Sequence, residues 1–281
     1  MDLDFGQYND GDLAAVLAER AGQHLLSLRA SCFAKSASLD TVGLKALGDE
    51  ADRSANDLIV GSLLKLRPHD AILSEESTDD LGRLDADRVW IVDPLDGTRE
   101  YKIEGNTEWA VHIALWERYG SGDASSGAQS RSETAGRLTL GVVGLPALDA
   151  VLRSDRPLPL RPIPIGRLRI VRSASRSQPL ATGVAALLGG EEVSMGSAGA
   201  KAMAVVRGEA DAYLHTGGQW EWDSAAPAIV AQGNGLFVAR IDGSPMLYNQ
   251  RDTFLPDLVI CRADLANRVM AAVREVLATP Q

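Results

Sequence analysis

Two carboxylates lie three residues apart, directly after an apolar run near the middle of the first half of the chain. The run Arg88–Val92 predicts a strand, and Asp93-Pro94-Leu95-Asp96-Gly97-Thr98 follows it. Pro94 bends the chain between the acids, and Gly97 lets the backbone approach a ligand closely. Hard divalent cations bind carboxylate and carbonyl oxygens, and a helix beginning at Gly97 would offer N–H groups to a phosphate. The stretch therefore favours metal-assisted phosphate hydrolysis, although Asp-Pro and Asp-Gly are also ordinary turn dipeptides.

Two further acidic stretches follow or precede predicted elements. Ser74-Glu75-Glu76-Ser77 comes after the apolar run Ala71–Leu73, and Trp222-Asp223-Ser224-Ala225-Ala226 opens a helical pattern that ends at Gly233. Taken singly, the first is typical of an acidic helix start, and Asp223 is typical of a helix N-cap. Three independent caps do not explain why both stretches accompany the Asp93–Thr98 motif. The combination favours acidic groups that converge on one cation site.

The rest of the pattern predicts the elements that must bring these acids together. Helical spacing of apolar residues predicts helices over residues 12–29 and 51–66, the second ending before Pro68. Later helices are predicted at Leu180–Leu188, Lys201–Val206, Ser224–Ala231 and Leu265–Leu277. Strands are predicted at Ala71–Leu73, Arg88–Val92, Ala110–Trp116, Leu138–Leu145, Leu168–Val171, Leu236–Ile241 and Leu258–Cys261. Gly120–Gly136, rich in Gly, Ser and Ala, is interpreted as a flexible hairpin connection. The irregular mixture favours an α+β or layered α/β fold.

Composition narrows the class of partner. Hydrophobic residues make up 45% and charged residues 23% of the 281 residues, which is ordinary for a globular protein. The formal net charge of −10 argues against a nucleic-acid polymer or an anionic membrane as partner. It leaves a small anionic substrate open, because a bound cation inverts the local charge. Two distant cysteines, Cys32 and Cys261, and an acidic start without a signal-peptide pattern favour a cytoplasmic protein with reduced thiols.

The three acidic motifs, in this order, resemble those of the inositol monophosphatase superfamily. Within it, the sequence is most similar to the 3'(2'),5'-bisphosphate nucleotidase (CysQ-type) branch, through Arg99-Glu100-Tyr101, the run Trp109–Leu115 and the run Val171–Ser177. The resemblance covers about Asp12 to Leu277 and implies a layered αβαβα sandwich. It implies one compact unit with an N-terminal half, residues 1–145, a C-terminal half, residues 146–281, and metals between the halves.

The resemblance also implies a magnesium site with two or three Mg²⁺ ions and inhibition by Li⁺. By motif match, Glu75, Asp93 and the backbone carbonyl of Leu95 hold the first metal, and Glu75 helps to position a third. Asp93, Asp96 and Asp223 hold the second metal. Clustered carboxylates repel one another, and bound cations would neutralise them.

Asp52 is the expected partner of the catalytic Thr98. Ala51-Asp52-Arg53-Ser54-Ala55-Asn56 resembles a family segment whose acid orients or deprotonates the attacking water together with a threonine. The alternative is that Asp52 simply starts a helix. Asp49 stands where the family usually has Thr, which makes Asp49 the second candidate for the role.

Residues expected to bind the substrate come from both halves. Asp96, Gly97 and Thr98 would contact the reacting phosphate, and Gly196-Ser197-Ala198-Gly199-Ala200-Lys201 resembles the family segment that contacts the rest of the substrate, through Ser197 and Gly199. Lys201, His215 or Arg176 would face a second phosphate; a surface or loop position is the alternative for each. Trp220 is a candidate to stack on a base, and Trp222 is expected to pack in the core.

The function expected from these residues is hydrolysis of adenosine 3',5'-bisphosphate to AMP and phosphate, with 3'-phosphoadenosine 5'-phosphosulfate as a related substrate. This would link the protein to sulfate assimilation. Inositol monophosphatase or fructose 1,6-bisphosphatase activity is the alternative within the enzyme class. A catalytically inactive metal- or nucleotide-binding regulator is the alternative outside it, and a homodimer is left open.

Overall fold

The computed structural model describes residues 8–35, 40–119, 135–159 and 166–278. These residues form seven α-helices, ten strands and short 3₁₀ turns. The helices are α1 (Asp10–Lys35), α2 (Thr41–Leu66), α3 (Thr98–Tyr101), α4 (Pro179–Leu188), α5 (Ala198–Val206), α6 (Glu221–Gly233) and α7 (Ala266–Ala278). The strands are β1 (Ala71–Ser74), β2 (Arg88–Asp96), β3 (Ala110–Arg118), β4 (Gly136–Leu145), β5 (Ala150–Arg153), β6 (Arg169–Ser173), β7 (Glu191–Met195), β8 (Ala212–Trp220), β9 (Leu236–Ala239) and β10 (Phe254–Arg262).

The strands form two five-stranded mixed sheets. The first has the order β1-β2-β3-β4-β5, in which only the β1–β2 pair is parallel. The second has the order β7-β6-β8-β10-β9, with β6 parallel to both β7 and β8 and the other pairs antiparallel. Since β5 ends at Arg153, the first sheet continues past residue 145, where the division between the halves was predicted.

The helices form three layers around these sheets. α1 and α2 cover the outer face of the first sheet, α5 and α6 lie between the two sheets, and α4 and α7 cover the outer face of the second. Each of the three helical layers buries apolar side chains against a sheet, and the middle layer is apolar on both sides. The predicted αβαβα sandwich is confirmed.

The helix predicted over residues 51–66 begins ten residues earlier. Asp40 caps it, since its side chain accepts a hydrogen bond from the Gly43 N–H at 2.8 Å. Asp52 therefore lies in the helix interior, and the alternative that it starts a helix is wrong. The first part of α2 was not predicted because it is largely exposed and has few apolar residues. Val42, Leu44 and Lys45 are not buried.

Other predicted features have mixed outcomes. β3 and β4 pair antiparallel, with Arg118 opposite Gly136, as a hairpin requires, while residues 120–134 between them lie outside the described residues. Cys32 and Cys261 are free thiols. No helix in the described part of the chain is long and apolar enough to span a membrane.

Candidate active site

Three aspartates from two elements meet at the inner edge of the first sheet. Asp93 and Asp96 are buried at the end of β2, Asp223 is in the first turn of α6, and one carboxylate oxygen of each lies within 4.8 Å of the others. In a regular strand, residues three apart would face opposite sides. The pairing of β2 with β3 is irregular between Asp93 and Asp96, which allows both side chains to reach the same site.

The Asp96 carboxylate is held by the first turn of α5. Oδ2 accepts hydrogen bonds from Ser197 Oγ at 2.5 Å and from the Gly199 N–H at 2.6 Å, and Oδ1 accepts one from the Ala198 N–H at 3.1 Å. N–H groups at a helix start stabilise negative charge. The predicted substrate residues Ser197 and Gly199 thus hold a predicted metal ligand in place.

Asp223 is the third residue of α6 and not its N-cap. Its Oδ2 accepts the Trp220 N–H at 2.6 Å, the side-chain half of a capping box. The alternative interpretation of Asp223 as an ordinary N-cap is therefore wrong. The bond orients the carboxylate and leaves capacity for further acceptor contacts, since an ionised carboxylate accepts about four hydrogen bonds or metal bonds.

Glu75 directly follows β1, the strand that pairs with β2, and its N–H donates to the Val92 carbonyl at 3.3 Å. It stands outside the group of three aspartates, and part of the residue is exposed although its carboxyl group is largely surrounded by protein. Burial of the carboxyl group against the protein, followed by the charges of Asp223, Asp52 and Glu76, raises its pKa to about 8. Glu75 therefore belongs electrostatically to the cluster.

The acidic groups oppose one another's ionisation in the metal-free protein. Burial, and then the charges of Glu75 and Asp96, raise the pKa of Asp93 well above its ordinary value. Burial and the Asp96 charge raise the pKa of Asp223 to about 6. An all-oxygen donor set that repels itself is what hard divalent cations such as Mg²⁺ bind. The side chains present therefore fit the magnesium expected here.

Thr98 and Asp52 form the second part of the site. Thr98 begins α3, and its single hydroxyl proton can be donated either to Asp52 Oδ1, 3.3 Å from Oγ1, or to the Leu95 carbonyl, 3.2 Å from Oγ1. Burial, followed by the charge of Glu76, raises the pKa of Asp52 to about 7. Asp49 instead pairs with Lys45 at 2.5 Å on the exposed face of α2. The geometry favours Asp52 over Asp49 as the partner of Thr98.

Comparison with known proteins shows the family of the chain. A family model described as the inositol monophosphatase family matches residues 12–278. The chain belongs to the inositol monophosphatase family. A 3'-phosphoadenosine 5'-phosphate phosphatase of Mycobacterium leprae is 47% identical over 96% of this chain and 95% of its own. The crystal structure of CysQ from Bacteroides thetaiotaomicron matches with a TM-score of 0.67 and 26% identity over 90% of this chain and 97% of that one. A Thermotoga maritima inositol monophosphatase structure has a TM-score of 0.68 at 20% identity, over 95% and 97% of the two chains.

In this member of the inositol monophosphatase family, a cavity of about 170 Å³ opens beside the carboxylates. Its lining includes predicted residues from both halves: Asp96, Gly97, Arg176, Ser197, Lys201, His215 and Asp223. Gly97 has a positive φ of 88°, and a Cβ there would lie 3.0 Å from the Glu108 carbonyl oxygen and from Ser197 Cβ. Glycine is therefore required at this position, where the chain packs tightly against Glu108 and Ser197.

The three basic candidates for binding a second phosphate differ in exposure and in the hydrogen bonds that they already make. Arg176 is exposed at the cavity, and its Nη1 donates to the Gly218 carbonyl at 2.8 Å. Lys201 is buried, not solvated, and its Nζ donates to the Gly196 and Ser197 carbonyls at 3.2 and 2.5 Å. His215 is in β8 and not in a loop, with Nε2 2.9 Å from the Gly218 carbonyl. Arg176 alone of these three combines a permanent charge with exposure.

Sequence reasoning gave no role to several residues that the fold places here. His112 on β3 is fully buried; its Nδ1 lies 3.1 Å from the Trp222 carbonyl and its Nε2 lies 3.4 Å from Asp96 Oδ2. Glu100, Tyr213 and Gln219 also line the cavity. The one available signal was a histidine inside an otherwise apolar strand run, Ala110–Trp116.

The predicted aromatic candidates lie together beside α6. The rings of Trp220 and Trp222 stack at 5.6 Å with an interplanar angle of 17°, and Phe254 packs edge-on against Trp220. Trp222 is half-buried and packs against the central core, as expected. Trp220 is 45% exposed, so one of its faces or edges is open to a ligand.

Proposed function

We propose that this protein hydrolyses adenosine 3',5'-bisphosphate to AMP and phosphate, with 3'-phosphoadenosine 5'-phosphosulfate as a related substrate. The observation that carries the chemistry is the convergence of the Asp93, Asp96 and Asp223 carboxylate oxygens within 4.8 Å. The choice of substrate is supported by the 47% identity to a mycobacterial 3'-phosphoadenosine 5'-phosphate phosphatase across nearly the whole of both chains. The basic groups beside the cavity supply a reason for a second negatively charged group on the substrate.

Magnesium would be held by the carboxylates of Glu75, Asp93, Asp96 and Asp223 and the Leu95 carbonyl. When bound, it would neutralise the charge of the transferred phosphoryl group and acidify a water molecule. The Leu95 carbonyl lies 3.2 Å from Thr98 Oγ1, and the Leu95 N–H donates to Asp93 Oδ1 at 3.1 Å. Contacts at hydrogen-bond distance, within a few residues of chain, therefore connect the expected metal ligands Asp93 and Leu95 with Thr98.

Asp52 and Thr98 would orient the attacking water and accept its proton. Thr98 Oγ1 donates to Asp52, so its oxygen lone pair can orient a water whose proton passes towards the Asp52 carboxylate. The water oxygen forms the new bond to phosphorus, the bond from phosphorus to the 3' oxygen breaks, and that oxygen takes up a proton as AMP leaves. No covalent enzyme intermediate is needed.

The remaining groups would orient the substrate. Arg176 can bind the second phosphate through its planar guanidinium, and Lys201 adds positive charge below the cavity floor without leaving its carbonyl partners. Ser197 at the start of α5 lines the cavity and would lie against the sugar, whereas Gly199, predicted for the same role, is not in the lining and instead donates to Asp96. Trp220 is the candidate for the base.

The test is the ratio of kcat/KM for four substrates: adenosine 3',5'-bisphosphate, its phosphosulfate analogue, inositol 1-phosphate and fructose 1,6-bisphosphate. Phosphate release is measured at saturating Mg²⁺ for each. We expect the two adenosine nucleotides to exceed the others by at least about tenfold, because a site that pairs polar substrate groups discriminates strongly against compounds lacking them. A tenfold preference for inositol 1-phosphate would overturn the substrate assignment.

A matched variant separates substrate choice from chemistry. Arg176→Gln should raise KM for adenosine 3',5'-bisphosphate by about tenfold or more and change kcat/KM for inositol 1-phosphate little. Mg²⁺ binding without phosphate release from any of the four compounds would favour the regulator instead. By the same proposal, Li⁺ inhibits turnover and the protein removes a by-product of sulfate assimilation.

A further inference from the structure

A buried arginine connects the segment that carries Glu75 with the start of the helix that carries Asp223. Arg83 lies in a 3₁₀ turn, Leu81–Leu84, eight residues after Glu75, and only 1% of it is exposed. Its Nε and Nη2 donate to the Asp79 carboxylate at 2.7 and 3.0 Å. The guanidinium therefore holds its own segment in place through Asp79. It also contacts a distant part of the chain.

On the other side the same guanidinium meets the chain before β10. Nη1 donates to Asn249 Oδ1 at 2.6 Å, and Nη2 donates to the Gln250 carbonyl at 2.8 Å. Asn249 is fully buried and has a positive φ of 58°, a conformation that a side chain other than Asn, Asp or Gly rarely adopts. A permanently charged, buried group is tolerated because each of its polar contacts is specific.

The next contact returns to α6. Glu221, the first residue of α6, is fully buried, and its two carboxylate oxygens accept the N–H groups of Asn249 and Gln250 at 2.6 and 2.8 Å. Asp223 follows two residues later. An unbroken series of hydrogen bonds thus runs from Asp79 and Arg83 through residues 249–250 to the turn of helix that carries Asp223.

We propose that Arg83 is a positioning residue that sets the separation of Glu75 and Asp223 and thereby the affinity of the site for divalent cations. The inference deepens the proposed function, on which it depends for the identity of the ligands. Removing a group that orients a metal ligand without touching the metal commonly changes metal affinity by about 10- to 100-fold. Here the series joins the segment that follows Glu75 to the start of the helix that carries Asp223, two segments far apart in the sequence.

The test measures Mg²⁺ affinity of the metal-free protein by titration calorimetry, together with the Mg²⁺ dependence of phosphate release. Arg83→Met should weaken Mg²⁺ binding at least about tenfold, while kcat at saturating Mg²⁺ stays within about threefold. Asn249→Gly keeps the positive φ and the backbone bonds to Glu221 but removes the amide that Arg83 binds. It should weaken Mg²⁺ binding in the same direction by a smaller factor, and it serves if Arg83→Met does not fold.

Arg88→Met is the matched control. Arg88 also bridges several acids, Asp10, Asp70 and Glu117, but at the opposite end of β2 from Asp96. It should lower the melting temperature without changing Mg²⁺ affinity. Equal Mg²⁺ affinities in the Arg83 and Arg88 variants, with normal wild-type turnover, would overturn the positioning role alone. A wild-type protein that binds Mg²⁺ but releases no phosphate would overturn only the proposed function, and one that binds no Mg²⁺ would overturn both.

Discussion

At the residue scale, Asp96 does two things at once. It shares the cation site with Asp93 and Asp223, and it accepts three hydrogen bonds from the first turn of α5. An asparagine would lose the ligand charge and would place an NH₂ group against N–H donors. The two effects fall on different measurements, one on activity and one on stability.

Asp96→Asn is expected to lower Mg²⁺-dependent turnover by at least about 10²-fold while the protein remains folded. With Mg²⁺ present, the free energy of unfolding should fall by about 1–3 kcal/mol, because one N–H of α5 loses its acceptor and the cation that offsets the repulsion among the acids is held less tightly. Phosphate release and urea unfolding measure the two quantities, and near-ultraviolet circular dichroism checks the fold. Near-normal turnover would remove Asp96 from the catalytic site.

Asp52 gives the protein a predicted pH dependence. Burial, followed by the Glu76 charge, raises its pKa to about 7, and only the ionised form can accept a proton through Thr98. The rate kcat/KM should therefore fall as the pH drops below about 7. Asp52→Asn should lose at least about 10²-fold in kcat and no longer show that acid limb. Asp49→Asn, an exposed neighbour paired with Lys45, is the control and should keep the wild-type profile.

At the element scale, the close fit of α5 against the first sheet controls the site. A Cβ on Gly199 would lie 2.1 Å from His112 Nε2 and 3.0 Å from Ala110 Cβ. Both neighbours are fully buried strand residues that have no room to move. The start of α5 can donate to Asp96 only because this position has no side chain.

Gly199→Ala should therefore lower turnover by at least about tenfold and destabilise the fold by about 1–3 kcal/mol, as overpacking does. Gly61→Ala is the matched control, because a Cβ at Gly61 in α2 meets nothing within 4 Å. That substitution should leave activity unchanged and raise the free energy of unfolding by about 0.5–1 kcal/mol. Wild-type activity in Gly199→Ala would show that α5 does not hold Asp96 in the working enzyme.

Sequence patterns predicted the strands that form a continuous apolar run and missed strands in which polar or glycine residues interrupt that run. β2, β3 and β4 are runs of apolar residues that were predicted, but β2 continues four residues past the predicted end at Val92 and includes Asp93 and Asp96. β7 was missed because Glu191–Met195 is a largely exposed edge strand. β8 was missed because polar and glycine residues that line the cavity interrupt its apolar run.

The contacts between distant segments were beyond the reach of the pattern. The motifs named the acids, but local spacing does not show that Ser197 and Gly199 bind Asp96, or that Lys201 is buried against carbonyls. Likewise, no local pattern around Arg83 indicates that it is buried and contacts Asn249 and Gln250. Such contacts depend on two sheets packing across α5 and α6, which is a tertiary property.

At the scale of the whole molecule, the layered sandwich places like charges between its two sheets. Asp93 and Asp96 come from the first sheet, and Asp223 comes from the helix layer that joins it to the second. Hydrophobic burial on both faces of α6 holds these groups together against their repulsion. Stability and cation binding are therefore linked through the same packing.

The linkage has a sign. Folding raises the pKa of Asp223 to about 6 and of Glu75 to about 8, because of burial and neighbouring acids. The folded protein therefore binds more protons than the unfolded chain across this range, and the free energy of unfolding of the metal-free protein falls as the pH rises from about 4 towards 8.

Mg²⁺ at 100 times its dissociation constant should restore about 2.7 kcal/mol, or about 5–10 °C in melting temperature. Melting curves with Mg²⁺ or EDTA should show a larger increment at about pH 8 than at about pH 6, where the carboxyls hold more protons. Asp223→Asn should lose most of the increment and flatten the metal-free slope. An increment of equal size in wild type and Asp223→Asn would mean that Mg²⁺ stabilises the protein somewhere other than between the two sheets.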